Sequence, residues 1–173
     1  MGPLILPFRG VLPRIAASAF IAPGAVVVGD VEIGENASIW YGCVLRGDVA
    51  AISVGANANI QDGTVVHCRG GAPPTYIGAD TTIGHLALVH GCRIEDGGFV
   101  GMKACVSDGA VVERDAMLAA GALLAPGKRV PSGELWAGTP ARFMRALSAA
   151  ERSTVRETPP HYVALAAEHK SLR

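Results

Sequence analysis

Aliphatic residues recur every six positions along most of this chain, and that period limits its fold more than any other feature. The run opens Ile15, Ile21, Val27, Ile33, Ile39, Leu45. It resumes as Val54, Ile60, Val66, then as Ile77, Ile83, Leu88, and continues as Ile94, Val100, Val106, Val112, Leu118, Leu124 and Val130. An amphipathic helix needs a period near 3.6 and a half-buried strand a period of 2, so six fits neither. It fits a parallel β-helix in which each hexapeptide supplies one short strand and one corner. The interior of such a coil is narrow. The composition agrees, with 50% hydrophobic residues but only 5% aromatic.

Three beats close one triangular coil. The first side carries Ile15, Ile33, Val54, Ile77, Ile94 and Val112; the second Ile21, Ile39, Ile60, Ile83, Val100 and Leu118; the third Val27, Leu45, Val66, Leu88, Val106 and Leu124. The register slips at three places. Three residues are added between Leu45 and Val54, five between Val66 and Ile77, and one is lost between Ile83 and Leu88. A packed coil tolerates such changes only at corners, so the slips are where function is expected.

The expected fold class is therefore an all-β solenoid with a C-terminal α-helix. Residues 1–14 read as an extended lead-in strand, 15–130 as the repeat, and 131–147 as an irregular exit with a turn at Gly138 and Pro140. Together 1–147 make the β-helix domain. The pattern then turns helical. Ser148 and Glu151 have capping-box spacing, and Pro159-Pro160 reads as a break, so 148–173 is expected as one or two short helices packed on the coil.

Fifteen Lys and Arg balance fifteen Asp and Glu, with no basic stripe, which argues against a nucleic-acid partner. No apolar run reaches about 18 residues, so no membrane span is expected. The four cysteines, Cys43, Cys68, Cys92 and Cys105, form no C-x-x-C pair and read as reduced thiols of a cytoplasmic protein.

Three of the five histidines fall at matched slots. His67 follows Val66, and His90 comes two after Leu88, both on the third side in successive coils. Coils stack about 4.8 Å apart, which makes the two imidazoles neighbours. His85, two after Ile83, projects from the second side. A second copy set with its second side against this third side would bring His85 to the pair. Arg46 and Asp48 lie one coil below His67, and Gln61 and Asp62 one coil below His85. Three neutral imidazoles at about 2.0–2.1 Å with one open position describe a catalytic zinc-type site, with Fe2+ or Co2+ as alternatives. His161 and His169, in the tail, read as solvated helix residues.

The stretches R-G-D (46–48), N-I-Q-D-G-T-V-V-H (59–67), I-G-H (83–85), L-V-H-G-C (88–92) and G-T-P-A-R (138–142) resemble those of the γ-class carbonic anhydrases and their bacterial relatives. The resemblance implies a left-handed β-helix and a homotrimer. It implies a metal held by His67 and His90 of one chain and His85 of its neighbour. It further implies that Gln61 positions the attacking hydroxide, that Asn59 lies beside it, and that Arg46, Asp48 and Asp62 organise the interface. Tyr162 corresponds to a tyrosine entering the site from the tail. The implied activity is hydration of CO2 to bicarbonate.

One departure stands out. Well-studied members carry a glutamate directly after the R-G-D aspartate and another in an acidic loop past the first histidine. Here those places hold Val49 and the loop Cys68-Arg69-Gly70-Gly71-Ala72-Pro73-Pro74. Without that proton shuttle the chain is expected to be either a slow anhydrase or one using a different shuttle, because a positioned acid or base contributes roughly 10²–10⁴-fold. The competing functions are an acyl-CoA thioesterase, a hexapeptide acyltransferase and a non-catalytic scaffold, since a fold alone does not fix function.

Overall fold

The computed structural model describes residues 2–71 and 73–172, so Ala72 of the insertion loop, Met1 and Arg173 lie outside the description. The chain winds into a parallel β-solenoid of about seven turns. On the first side Ile15, Ile33, Val54, Ile77, Ile94, Val112 and Val130 pair rung upon rung. On the second side the column is Ile21, Ile39, Ile60, Ile83, Val100, Leu118 and Trp136. These aliphatic side chains fill the interior, and alanines and cysteines occupy its corners. Each fully buried Val, Leu or Ile stabilises the coil by about 1.5–3 kcal/mol. Burial in this lining pushes the Cys43 and Cys92 thiols up to about 12.

The third side corrects one beat. The column runs Ile5, Val27, Leu45, Val66, Val89, Val106, Leu124. Val89 is fully buried, whereas Leu88 is 39% exposed. Ile83 to Val89 is therefore a regular step of six, and the residue is lost between Val89 and Ile94, at the Gly91 corner. The shift was hidden because Leu86 takes the left-handed corner conformation (φ 60°) that Gly42, Gly63 and Gly121 take in other coils. A leucine at a corner gives no turn signal.

The three-residue insertion extends a strand instead of forming a loop. Val44–Val54 runs unbroken for 11 residues across the third-to-first corner and pairs with Val26–Ile33, which bulges between Gly29 and Val31. Leu4–Leu6 lies along Val26–Ile33 as the lead-in. The exit is more regular than expected. Glu134–Gly138 and Ala141–Ala146 form an antiparallel hairpin turning at a cis Thr139–Pro140 bond, and Trp136 extends the second side.

A single helix, α1 (Ala149–Lys170), follows the hairpin. Ser148 and Glu151 form the expected capping box. The expected break does not occur: Pro159 and Pro160 both lie inside the helix. Each removes a backbone donor, at a typical cost of about 3 kcal/mol or more in a helix interior. Packing at both ends holds the helix across them. Val155 joins Met117, Leu135 and Leu147 near the last coils, and Ala166, Tyr162 and Leu165 join Phe20, Ala22 and Trp40 near the first. The helix thus runs back along the second side. His169 is not solvated as expected. Its Nδ1 lies 2.8 Å from the Tyr41 hydroxyl and its ring centroid 5.0 Å from that of Trp40. His161 is exposed.

The first side stays polar, with exposed ion pairs such as Arg14–Glu32, Arg114–Asp96 and Arg129–Glu113. Among the described residues, no helix is long and apolar enough to cross a membrane.

Candidate metal centre

The third side brings two imidazoles together. The strands Val65–His67 and Leu88–His90 pair in parallel, with His67 directly opposite His90. The corrected register explains why, since each histidine follows its buried valine by one residue. Thr75 ties the two coils. Its hydroxyl donates to the His67 carbonyl at 2.8 Å and accepts from the Gly91 N–H at 3.0 Å.

Each ring has one nitrogen committed to a carboxylate. His67 Nε2 lies 2.9 Å from Asp48 Oδ1, and His90 Nδ1 lies 2.6 Å from Asp108 Oδ1. As neutral rings they donate through those nitrogens, which leaves lone pairs on His67 Nδ1 and His90 Nε2. These two atoms face each other at 3.3 Å. Two lone pairs at that separation repel unless a cation or a shared proton lies between them. A tetrahedral ion with Zn–N bonds of about 2.0–2.1 Å spans a nitrogen–nitrogen edge of about 3.3–3.4 Å. The donor set therefore fits a tetrahedral cation.

Asp48 is partly desolvated, which raises its pKa. Hydrogen bonds from His67 and Arg46 outweigh that effect and hold the carboxyl below its ordinary range. Sequence reasoning missed Asp108. It lies two residues past the Val106 beat, one coil above His90, whereas the sequence reading seeks partners only in the coils below the histidines.

His85 sits apart on the second side, at the corner above Asp62, with Nδ1 2.9 Å from Asp62 Oδ2. Like the other two histidines it has a carboxylate beside it, here as an ion-pair contact on more exposed side chains. Among the described residues of one chain, no group of three or more His, Cys, Asp or Glu side chains is arranged to hold a metal ion.

Gln61 and Asn59 are buried on the same side. Asn59 Nδ2 donates to Thr82 Oγ1 at 2.9 Å and to the Thr81 carbonyl at 3.2 Å. Its Oδ1 accepts from Gln61 Nε2 at 3.0 Å. Tyr162 packs edge-on against Trp40, and burial, followed by the nearby Asp62 charge, raises its hydroxyl pKa. Within one chain Arg46 binds Asp48, and Asp62 binds His85. Val49 is exposed.

The fold and the paired histidines define a hexapeptide-repeat solenoid with a metal-suited site. Residues 13–47 match the family model described as bacterial transferase hexapeptide (six repeats). The chain is 51% identical over 164 residues to "Gamma carbonic anhydrase 2, mitochondrial" of Arabidopsis thaliana, covering 92% of this chain and 59% of the relative. It is 43% identical to "Probable carbonic anhydrase" of Methanocaldococcus jannaschii, covering 87% of this chain and 94% of the relative. A crystal structure of a hexapeptide transferase family protein from Anaplasma phagocytophilum superposes with a TM-score of 0.92 at 50% identity, covering 95% of this chain and 97% of that one. The chain belongs to the γ-class carbonic anhydrase-like family of hexapeptide-repeat proteins. It spans only about three-fifths of the Arabidopsis relative's length, 59%.

Proposed function

We propose that this protein hydrates CO2 to bicarbonate as a cytoplasmic homotrimer, at a centre between subunits. His67 and His90 of one copy and His85 of the partner subunit would hold Zn2+, or Fe2+ or Co2+. The observation that carries this reading is the pair of imidazole lone pairs facing each other at 3.3 Å, each ring fixed from behind by a carboxylate. A metal-ligating histidine ordinarily has this support. His85 has it too, yet stands on another face, which favours a ligand shared with a second copy. An exposed apolar ridge of Tyr41, Leu86, Met102, Val65 and Leu88 at the second-to-third corner supports copies meeting there. Arg46, Asp48 and Asp62 border that contact.

A divalent cation at this centre supplies Lewis acidity, lowering the pKa of water to about 7 so that hydroxide is available near neutral pH. The chain's own residues do the positioning. Asn59, fixed by Thr82, takes the N–H end of the Gln61 amide, so Gln61 turns its oxygen outward. Among the described residues that oxygen has no partner, and it accepts a hydrogen bond from the attacking water or hydroxide. Water would give up one proton to solvent, and the oxygen of the resulting hydroxide would bond to the CO2 carbon as one C–O π pair moves onto oxygen, giving bicarbonate. Tyr162, kept as a neutral hydroxyl, borders the site beside Asp62.

No glutamate stands at position 49, so proton release depends on buffer, and the expected rate is low. Stopped-flow CO2 hydration by zinc-loaded and anaerobically iron-loaded protein tests the reading. The expected result is activity that rises with buffer concentration, about one tightly bound ion per chain, and a trimer by light scattering. Background rates under both loadings would sink it.

The name of the Anaplasma neighbour favours a second reading, acyl transfer. That chemistry needs one histidine as base and no metal, so metal stoichiometry separates the two.

A further inference from the structure

We propose that Asp108 and Arg69 form a second positioning arm for this centre, the counterpart of Asp48 and Arg46. The inference rests on the metal-centre reading above. The two carboxylates divide their oxygens in the same way. Asp48 gives Oδ1 to His67 and Oδ2 to Arg46. Asp108 gives Oδ1 to His90 at 2.6 Å and Oδ2 to Arg69 Nε at 3.7 Å. They act from opposite ends of the solenoid axis. Asp48 comes from the coil below His67, and Asp108 from the coil above His90.

This symmetry decides which nitrogens face each other. His67 is held from below through Nε2 and His90 from above through Nδ1, so the remaining nitrogens meet between the two coils. Without the upper arm, His90 is free to rotate about its side-chain bonds or to switch tautomer, which removes the facing lone pair. Gly91 leaves room for the carboxylate. A Cβ at that position would come inside van der Waals contact with Asp108 Oδ1.

The arm also gives the five-residue insertion a role. Arg69 projects from that loop, where the family resemblance leads one to expect acidic side chains. The loop here carries a cation that restrains Asp108, so it orients a ligand instead of moving protons. Arg69 is well exposed, so its share is the smaller one.

Two readouts on the purified oligomer test the proposal. The first is zinc affinity by chelator competition. The second is the His90 tautomer in metal-free protein, from long-range proton–nitrogen-15 correlations. Wild type should show His90 protonated at Nδ1. Asp108→Ala should lose that preference and bind zinc about 10–100-fold more weakly. Asp108→Asn keeps an accepting oxygen and should fall between the two. Arg69→Gln should cost about five-fold or less. Asp96→Asn, on the solvent-facing first side, should change neither readout, and circular dichroism should show all variants folded. An Asp108→Ala protein with wild-type zinc affinity and an unchanged tautomer overturns the proposal and leaves the metal centre standing. A wild type that binds no zinc, with His90 still locked at Nδ1, sinks the metal centre and leaves Asp108 as the residue that orients His90.

Discussion

Along the third side, His67 and His90 stand in register, their side chains 16% and 30% exposed, each anchored by a carboxylate from the coil beyond. Along the second side, His85 stands alone beside Asp62, 40% exposed. Both sides obey the same six-residue rule, yet one offers a pair of donors and the other a single donor. Stacking brings like positions of successive coils together on one face, at about 4.8 Å. It cannot carry a side chain around a corner. A solenoid therefore builds a two-nitrogen edge by itself, and on the proposed reading the third ligand would come from another copy.

The largest expected effect tests that asymmetry. Apparent zinc-binding free energies of about 10–16 kcal/mol, shared over four ligands, make each histidine worth on the order of 10²–10³-fold in affinity. His67→Ala and His90→Ala should each destroy the edge and abolish stoichiometric binding in a chelator competition. His85→Ala should leave the edge and retain weak binding. Equal, complete loss in all three would break the distinction.

The register of the third side comes next. Val89→Ala should cost about 2 kcal/mol in denaturant unfolding, since it empties space in a fully packed interior. Leu88→Ala should cost less than about 0.5 kcal/mol in the isolated chain. Reversed values would restore the uncorrected register and separate His90 from His67.

The second side depends on its helix, and the Ser148 cap is the place to weaken that dependence. Ser148→Ala should lower stability by about 1 kcal/mol. Bonds from Arg145 and Ser148 hold the Glu151 carboxyl at about 2, below its ordinary 4.5. A depressed carboxyl stabilises the fold above its unfolded pKa. Its contribution is thus complete above about 4.5 and fades as pH falls towards about 2. Acid unfolding of Glu151→Gln should lack that component.

The smallest effect concerns Tyr162. Its raised pKa means that the folded state favours the neutral hydroxyl, so any stability it adds is present below its ordinary value of 10 and is lost as pH rises through the folded value. Ultraviolet titration should find one tyrosine ionising above 10, and it should disappear in Tyr162→Phe. Unchanged titration in that variant would detach Tyr162 from the Asp62 corner.

Much of this was legible in the sequence because the repeat is a ruler. Once the period is six, Val66 fixes His67, Ile60 fixes Gln61 and Asp62, and Ile83 fixes His85, with no tertiary information. The reading failed where a residue type hid its conformation. Leu86 sat at a left-handed corner and Leu88 looked more hydrophobic than Val89, so the beat was misplaced. Asp108 was overlooked for a different reason, because partners were sought only in the coils below the histidines. Pro159 and Pro160 read as a break because local propensity says so, but packing of α1 at both ends overrides it.

The sequence by itself determined the solenoid, its three faces and the sharing of histidines between two of them, because local hexapeptide geometry propagates without long-range help. Only the tertiary structure decided which atoms meet. The 3.3 Å approach of two ring nitrogens, and the carboxylates that turn them inward, come from residues 18–23 positions apart. Ring orientation depends on those stacked neighbours, which no periodicity encodes.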